Sequence, residues 1–358
     1  MEATARTVAE RAIEAAIWAP SVYNTQPWKF GVEDDRRIAL RADPDRRIVV
    51  ADPSGREMMI SCGAALYTLR LAIRHLGHEP DVLLLPDPDR PYLLATVVIG
   101  AGTGEDAATD PDQGRLYEEI FRRRTHRGAF RGDPVASSVL ETLEREAESG
   151  GARFLVAADE HVQGALAGLT QAADHLERAT IEYRQEVAGW APRPGSTRRE
   201  GLLDDAYRSE DVSTEPHFPA RDFARGQGWG VTESESESES EGGGGDGEGG
   251  GGREPAGDLS TGLVALLVTS DDTARAWLRA GEALQRVLLR AGVDAGLSAA
   301  FHTQALEIPE LRAFIGERFC SGAHPQMLMR LGVPAGEQMA SVRRAAEDVT
   351  RREPTSAW

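Results

Sequence analysis

Apolar and small residues at Val8, Ala12, Ala15, Ala16 and Ala19 recur at helical spacing and predict a helix over 4–19, which Pro20 ends. Residues 26–32 read as a strand, with 38–41 as its short antiparallel partner across the polar turn 33–37. After the turn residues Asp52-Pro53-Ser54-Gly55, an apolar stripe of Cys62, Ala65, Leu66, Leu69, Ile73 and Leu76 predicts a helix over 55–76, with Gly77 as its stop. The run 93–99 is a strongly apolar strand. Helices follow at 113–123 and 135–149, then a strand at 153–157 and one long helix at 159–189. Regular patterning resumes with a strand at 262–268, a helix at 271–291, a strand near 297–301, a helix at 308–318, a strand at 326–331 and a last helix near 338–352.

The order helix, strand, helix, apolar strand thus occurs twice, the second time from about Gln113. This predicts an α+β fold with a degenerate internal duplication, divided as 1–112 and 113–358. Between the two patterned regions of the second half, residues 189–230 hold Trp190, Phe218, Phe223 and several prolines, and read as an arm or lid. Residues 231–256 alternate Glu and Ser and then turn to glycine. Glu233–Gly252 has no apolar side chain to bury, so 231–256 is expected to be a disordered insertion.

The net charge of −18 over 358 residues changes the picture only a little. Seven of the acids lie in Glu233–Gly252, which leaves about −11 for the rest of the chain. An acidic surface argues against nucleic acid or anionic membrane as a partner and leaves small molecules. Two cysteines make neither a disulfide framework nor a metal quartet, and the spacings His75/His78 and Cys320/His324 lack further ligands, so no metal is expected. No apolar run approaches the roughly 20 residues of a membrane span, and no signal peptide is visible, so the expected location is the cytoplasm.

Gly100-Ala101-Gly102-Thr103-Gly104 invites a dinucleotide-binding reading. That motif needs a helix directly after it to face the pyrophosphate. Here Glu105-Asp106 and Asp110-Pro111 follow, which are anionic and loop-forming, so the reading is rejected.

The candidate chemistry lies in Ala19–Phe30. It places an uncharged hydrogen-bonding loop (Ser21, Asn24, Gln26) between two prolines and beside Trp28. Such a loop suits a flat neutral heterocycle with donors and acceptors on its edge; the same amides could equally satisfy their own turn. The second cluster is Arg123, Arg124, Thr125 and Arg127. It could be a solvated cationic helix end, or a phosphate site built from planar multi-donor guanidiniums.

The stretch Ala19–Trp28 closely resembles the "APSxxNxQPW" signature of the FMN-dependent nitroreductase family, and its neighbours resemble the Acg-like subfamily. Arg123–Phe130 resembles the family's opening "RRSxRxF", with one extra residue between Arg127 and Phe130. Each half keeps only one of the two motifs. Ordinary members are intertwined homodimers in which one subunit supplies the phosphate arginines and the other the signature loop. The resemblance therefore implies a nitroreductase-like fold that is a fused pseudo-dimer, one FMN per chain, and a chain able to act as a monomer. Arg123, Arg124, Thr125 and Arg127 would hold the phosphate, while Ser21, Asn24 and Gln26 would meet the isoalloxazine. By the same resemblance Ser298, Ala299 and Ala300 would offer backbone amides to the flavin, and Arg343 a further phosphate contact. For these the alternatives are a closely packed small-residue strand and, with Arg344, a surface helix pair. The implied activity is NAD(P)H-dependent reduction of nitroaromatic or quinone-like acceptors, with the flavin and no side chain as the catalytic group. The alternative is flavin storage behind a lid.

Overall fold

In the computed structural model, β1 (Trp28–Glu33) and β2 (Arg37–Ala42) form the expected hairpin, with Phe30 opposite Leu40 and Val32 opposite Ile38. The structure describes residues 7–102, 110–193, 195–202, 214–219, 221, 259–336 and 341–353. The expected insertion at 231–256 lies wholly outside them, and so does Phe223 of the arm. Ahead of the hairpin, α1 (Val8–Ala16) opens with a capping box in which the Thr7 hydroxyl accepts from Glu10 N and the Glu10 carboxylate accepts from Thr7 N. It buries Ala9, Ala12, Ile13, Ala15 and Ala16.

After the hairpin come α2 (Arg56–His75), β3 (His78–Leu84) and β4 (Leu93–Gly102). The strand β3 has no counterpart in the apolar pattern. It is an edge strand, paired to β4 alone, and an edge tolerates the Glu79-Pro80-Asp81 that hid it. Gly100 and Gly102 continue β4, with Gly102 opposite His78 of β3, so these two glycines lie within a strand and not in a turn after it. Thr103 and Gly104 lie outside the described residues.

The chain continues through α3 (Pro111–Arg122), β5 (Phe130–Arg131), α4 (Ser137–Gly150) and β6 (Arg153–Val156). The expected long helix is two, α5 (Glu160–Ala179) and α6 (Ile181–Gly189), because Thr180 adopts extended backbone with ψ 137°. Then come β7 (Leu259–Ser260), β8 (Leu263–Thr269), α7 (Ala274–Ala295), β9 (Ser298–Phe301), α8 (Gln304–Glu307), α9 (Pro309–Phe319) and β10 (His324–Gly332). The expected last helix is one turn only, α10 (Ala346–Val349), followed by β11 (Thr350–Arg352). This strand runs parallel to β1, with Thr350 opposite Phe30 and Arg352 opposite Val32. Gly31 permits the pairing, since a side chain there would overlap the Glu353 carboxylate, which instead pairs with Arg41 at 3.0 Å.

The larger sheet has the order β11-β1-β2-β4-β3 and the second the order β6-β8-β10-β9. Without β11, both run first, second, fourth, third in their own sets, and every neighbour within a set is antiparallel. A helix precedes each set (α1, α4), and a long helix joins its second and third strands (α2, α7).

The two long helices meet at Gly63 and Gly281. A methyl at Gly63 would overlap the Leu278 carbonyl, and one at Gly281 the Ile60 carbonyl. That approach lets Leu278 and Leu289 of α7 join the core under the first sheet, while Ile60 of α2 joins the core under the second. Among the described residues, no helix is long and apolar enough to cross a membrane.

Candidate functional site

Between α1 and β1 the signature loop holds three non-glycine residues in the left-handed region: Tyr23 (φ 46°), Asn24 (φ 53°) and Gln26 (φ 51°). Each such conformation costs on the order of 1 kcal/mol or more and persists where surrounding contacts impose it. The contacts are present. Ser61 Oγ accepts from Val22 N at 3.1 Å, and Ser21 Oγ accepts from Gln26 N at 3.0 Å.

The two amides of the loop are engaged by protein. Asn24 Nδ2 donates to Gly201 O at 3.0 Å and to Val342 O at 3.2 Å, while its Oδ1 accepts from Arg343 Nη1 at 3.2 Å. Gln26 is fully buried. Its Nε2 donates to Arg199 O at 2.8 Å and its Oε1 accepts from Arg344 N at 2.8 Å. Gly201 N donates back to Asn24 O at 3.2 Å, so the arm at 199–201 and the segment at 342–344 are both fastened to the loop. Trp28 is fully buried in the core under the first sheet.

The arginine cluster begins where α3 ends. Arg124 serves that helix end, since its Nη1 donates to Phe121 O at 2.9 Å and to Arg123 O at 2.8 Å. Arg123 does not: it is 7% exposed, and its buried Nε has no hydrogen-bond partner among the described residues. Arg343 donates to Asn24 Oδ1, to Val342 O at 2.9 Å and to Trp18 O at 3.3 Å, but its Nε is likewise buried and unpartnered. Both Arg124 and Arg343 lie over the Trp18 ring, at 5.2 and 5.6 Å from its centroid.

Burial lowers Arg123 to about 10, helped by the charges of Arg124 and Arg127 and opposed by Glu119. Burial lowers Arg127 to about 10, and burial with the Arg123 and Arg124 charges lowers Arg343 to about 9. Among the described residues, no carboxylate forms an ion pair with Arg123, Arg127 or Arg343. Like charges that are buried or half-buried with donors to spare are costly unless an anion neutralises them.

The segment after the cluster lies on the free edge of β9. Thr125 bridges to Ala299 in parallel fashion, and His126 N donates to Ala299 O at 2.8 Å. Ala299 and Ala300 are buried in that strand, and Ser298 begins it. The structure therefore brings Arg123, Arg124, Thr125, Arg127 and the 298–300 strand near Asn24 of the signature loop, and Arg343 joins them. Arg343 lies in neither expected helix nor surface pair, since 341–345 has no helical structure and Arg343 reaches back to Trp18. Sequence reasoning missed Trp18 and the arm carbonyls at Arg199 and Gly201. Only the position of Trp18, three residues before Ser21, hinted at the first.

Behind the loop lies a buried ionic network. Arg221 Nη1 donates to Glu307 Oε2 at 3.0 Å and also binds the hydroxyls of Tyr23 and Tyr183, with Glu177 at 3.7 Å. Arg56 pairs with Glu57 at 2.9 Å. Burial and neighbouring carboxylates push Glu57 up to about 8 and Glu177 up to about 9.

No family model matches this chain. Among known proteins, it is 32% identical over 331 residues to a Mycobacterium tuberculosis protein named "Putative NAD(P)H nitroreductase Rv3131", covering 92% of this chain and 85% of that one. It is 28% identical over 326 residues to "Putative NAD(P)H nitroreductase acg" of the same organism, covering 91% and 89%. A solved structure, an FMN-bound nitroreductase from Bacteroides fragilis, aligns with 66% of this chain and 98% of its own, at 12% identity and a TM-score of 0.38. With identity at this level across nine-tenths of its length, the chain belongs to the nitroreductase family, in the branch that holds the acg protein.

Proposed function

We propose that this protein is an FMN-binding oxidoreductase with one flavin per chain, built as a fused pseudo-dimer of two nitroreductase-like halves, 1–112 and 113–358. The observation that carries the reading is the arginine cluster, in which Arg123 is buried and Arg127 and Arg343 are half-buried. Among the described residues, Arg123 and Arg343 each keep an unpartnered Nε and form no ion pair with a carboxylate, and Arg127 adds a third cation. This donor set fits a phosphate monoester. The shared strand order of the two sheets supports the fusion, as does the convergence of motifs from both halves.

Arg123, Arg127 and Arg343 would hold the phosphate, with Arg124 and Arg343 steadied on Trp18. Thr125 and the backbone of Ser298–Ala300 would line the adjoining strand edge, and Ser21 holds the loop in shape. Asn24 and Gln26 would act mainly through what they fasten, Arg343 and the arm. Bound FMN would supply hydride transfer from NAD(P)H to a nitroaromatic or quinone-like acceptor.

A second reading, flavin storage, is favoured by one observation: the arm at 199–201 is bonded directly to Asn24 and Gln26, as a lid over the site would be. An anaerobic visible spectrum of the FMN-loaded protein separates the two. Bleaching on addition of NADPH is expected for the reductase. A flavin band that persists with NADPH but bleaches with dithionite would replace it with storage. Failure to retain any flavin would overturn both.

A further inference from the structure

We propose that Glu119 is the counter-charge of the arginine cluster, competing with a bound phosphate for Arg123 and so setting how tightly the site holds an anion. The inference rests on the anion-binding reading above and deepens it.

Glu119 stands four residues before Arg123 on α3, the spacing at which a glutamate and an arginine pair along one helix face. The pair is not made. The Glu119 side chain lies instead against Gly292 of α7, where an added methyl would overlap Oε1 and meet Cδ at 2.8 Å and Cγ at 3.1 Å. Glycine is what makes the resting place possible. Burial there raises the carboxyl pKa, against the pull of Arg122, Arg123 and Arg124.

The charges acting on Glu119 come from the end of its own helix and the residues that follow it. Arg122 and Arg123 belong to the end of its own helix, and Arg124 follows on the strap. Arg127 couples to it through Arg123, and Arg343 through Arg123 and Arg124. On α7 the charged neighbours of Gly292 are already paired: Arg290 with Asp294 at 3.3 Å and with Asp112 at 2.6 Å. Among the described residues, Glu119 is the acid that acts on Arg123 and Arg124. Ionised, it offers Arg123 an internal partner; protonated, it leaves the guanidinium to an anion. It touches neither, so it is a positioning residue.

The test uses sulfate, whose double negative charge does not change over the working pH range. The full chain is titrated with sulfate at several pH values, following the melting temperature, and its FMN affinity is measured at one pH. Wild-type affinity for sulfate should fall as Glu119 ionises. Glu119→Gln should bind sulfate about three- to tenfold more tightly above neutrality and lose that part of the pH dependence. His126, which neighbours Arg127, titrates in both proteins, so the difference between their profiles is the readout. Gly292→Ala should displace the carboxyl from α7 and weaken binding by a similar factor. That loss should vanish in the Glu119→Gln/Gly292→Ala double variant. If the wild type binds sulfate and FMN but Glu119→Gln keeps its profile, the role of Glu119 is overturned and the FMN reading stands. If the wild type binds neither, both are overturned.

Discussion

Asn24 Oδ1 accepts a hydrogen bond from Arg343 Nη1 at 3.2 Å, joining the signature loop to a residue 319 positions later. Arg343 then rests on the ring of Trp18, which also carries Arg124. The loop that resembles a flavin edge-binder is thus also part of the frame that aims the guanidiniums.

Removing one of those guanidiniums should cost anion affinity without unfolding the protein. Arg123→Ala and Arg343→Ala should each weaken FMN binding about 10- to 100-fold, the range of one or two charge-assisted hydrogen bonds. Flavin fluorescence titration measures it. Because buried like charges repel, thermal stability in phosphate-free buffer should hold or rise for Arg123→Ala. A fall in stability with unchanged FMN affinity would mean that the cluster is structural.

Gln26 tests the clasp. Gln26→Leu strands Arg199 O and Arg344 N without their partner, which should destabilise the protein by about 1–3 kcal/mol. Release of the arm should also make 195–202 cleavable by protease in the native protein. Equal cleavage rates in variant and wild type would show that Gln26 does not hold the arm.

Gly63 tests the helix crossing. A methyl there meets a backbone carbonyl of α7, which cannot rotate away. Gly63→Ala should cost about 2–3 kcal/mol or more in urea denaturation. A cost below about 0.5 kcal/mol would contradict the close approach of the two helices.

The network around Arg221 predicts a pH trend. Glu57 and Glu177 have folded values of about 8 and about 9, above the ordinary 4.5. Between neutrality and those values the folded state holds protons that the unfolded state has released, so stability must fall as pH rises. The histidines lowered by burial change charge on the acid side of this window, and Asp272, held far below the carboxylate range by Arg312, has already ionised. Glu177→Gln should flatten the decline from pH about 7 to about 8.5, read by denaturant midpoints. An unchanged slope would mean that Glu177 is not the group responsible.

Much of this was legible in the chain because local signals were strong. The stripe from Cys62 to Leu76 gave α2, and the 26–32 and 38–41 runs gave the first hairpin. The Arg123–Arg127 strap and the Asn24 loop were found as motifs, and the structure places them in one neighbourhood. What stayed hidden depends on partners distant in sequence. The strand β11 exists because Phe30–Val32 offer it an edge, and nothing in Thr350–Arg352 announces that. The break at Thr180 is one residue's backbone choice inside a helical pattern. The amides of Asn24 and Gln26 look free in the sequence and are taken up by carbonyls of Gly201 and Arg199, on an arm with no periodicity to read.

The most direct test of the account is the FMN stoichiometry and affinity of the purified full-length chain, by titration of apoprotein with FMN and flavin-fluorescence quenching. The account predicts saturation at one FMN per chain, with binding lost in the Arg123→Ala/Arg343→Ala double variant. Saturation at two per chain, or binding untouched by the double variant, would contradict a single site assembled by the arginine cluster and the signature loop.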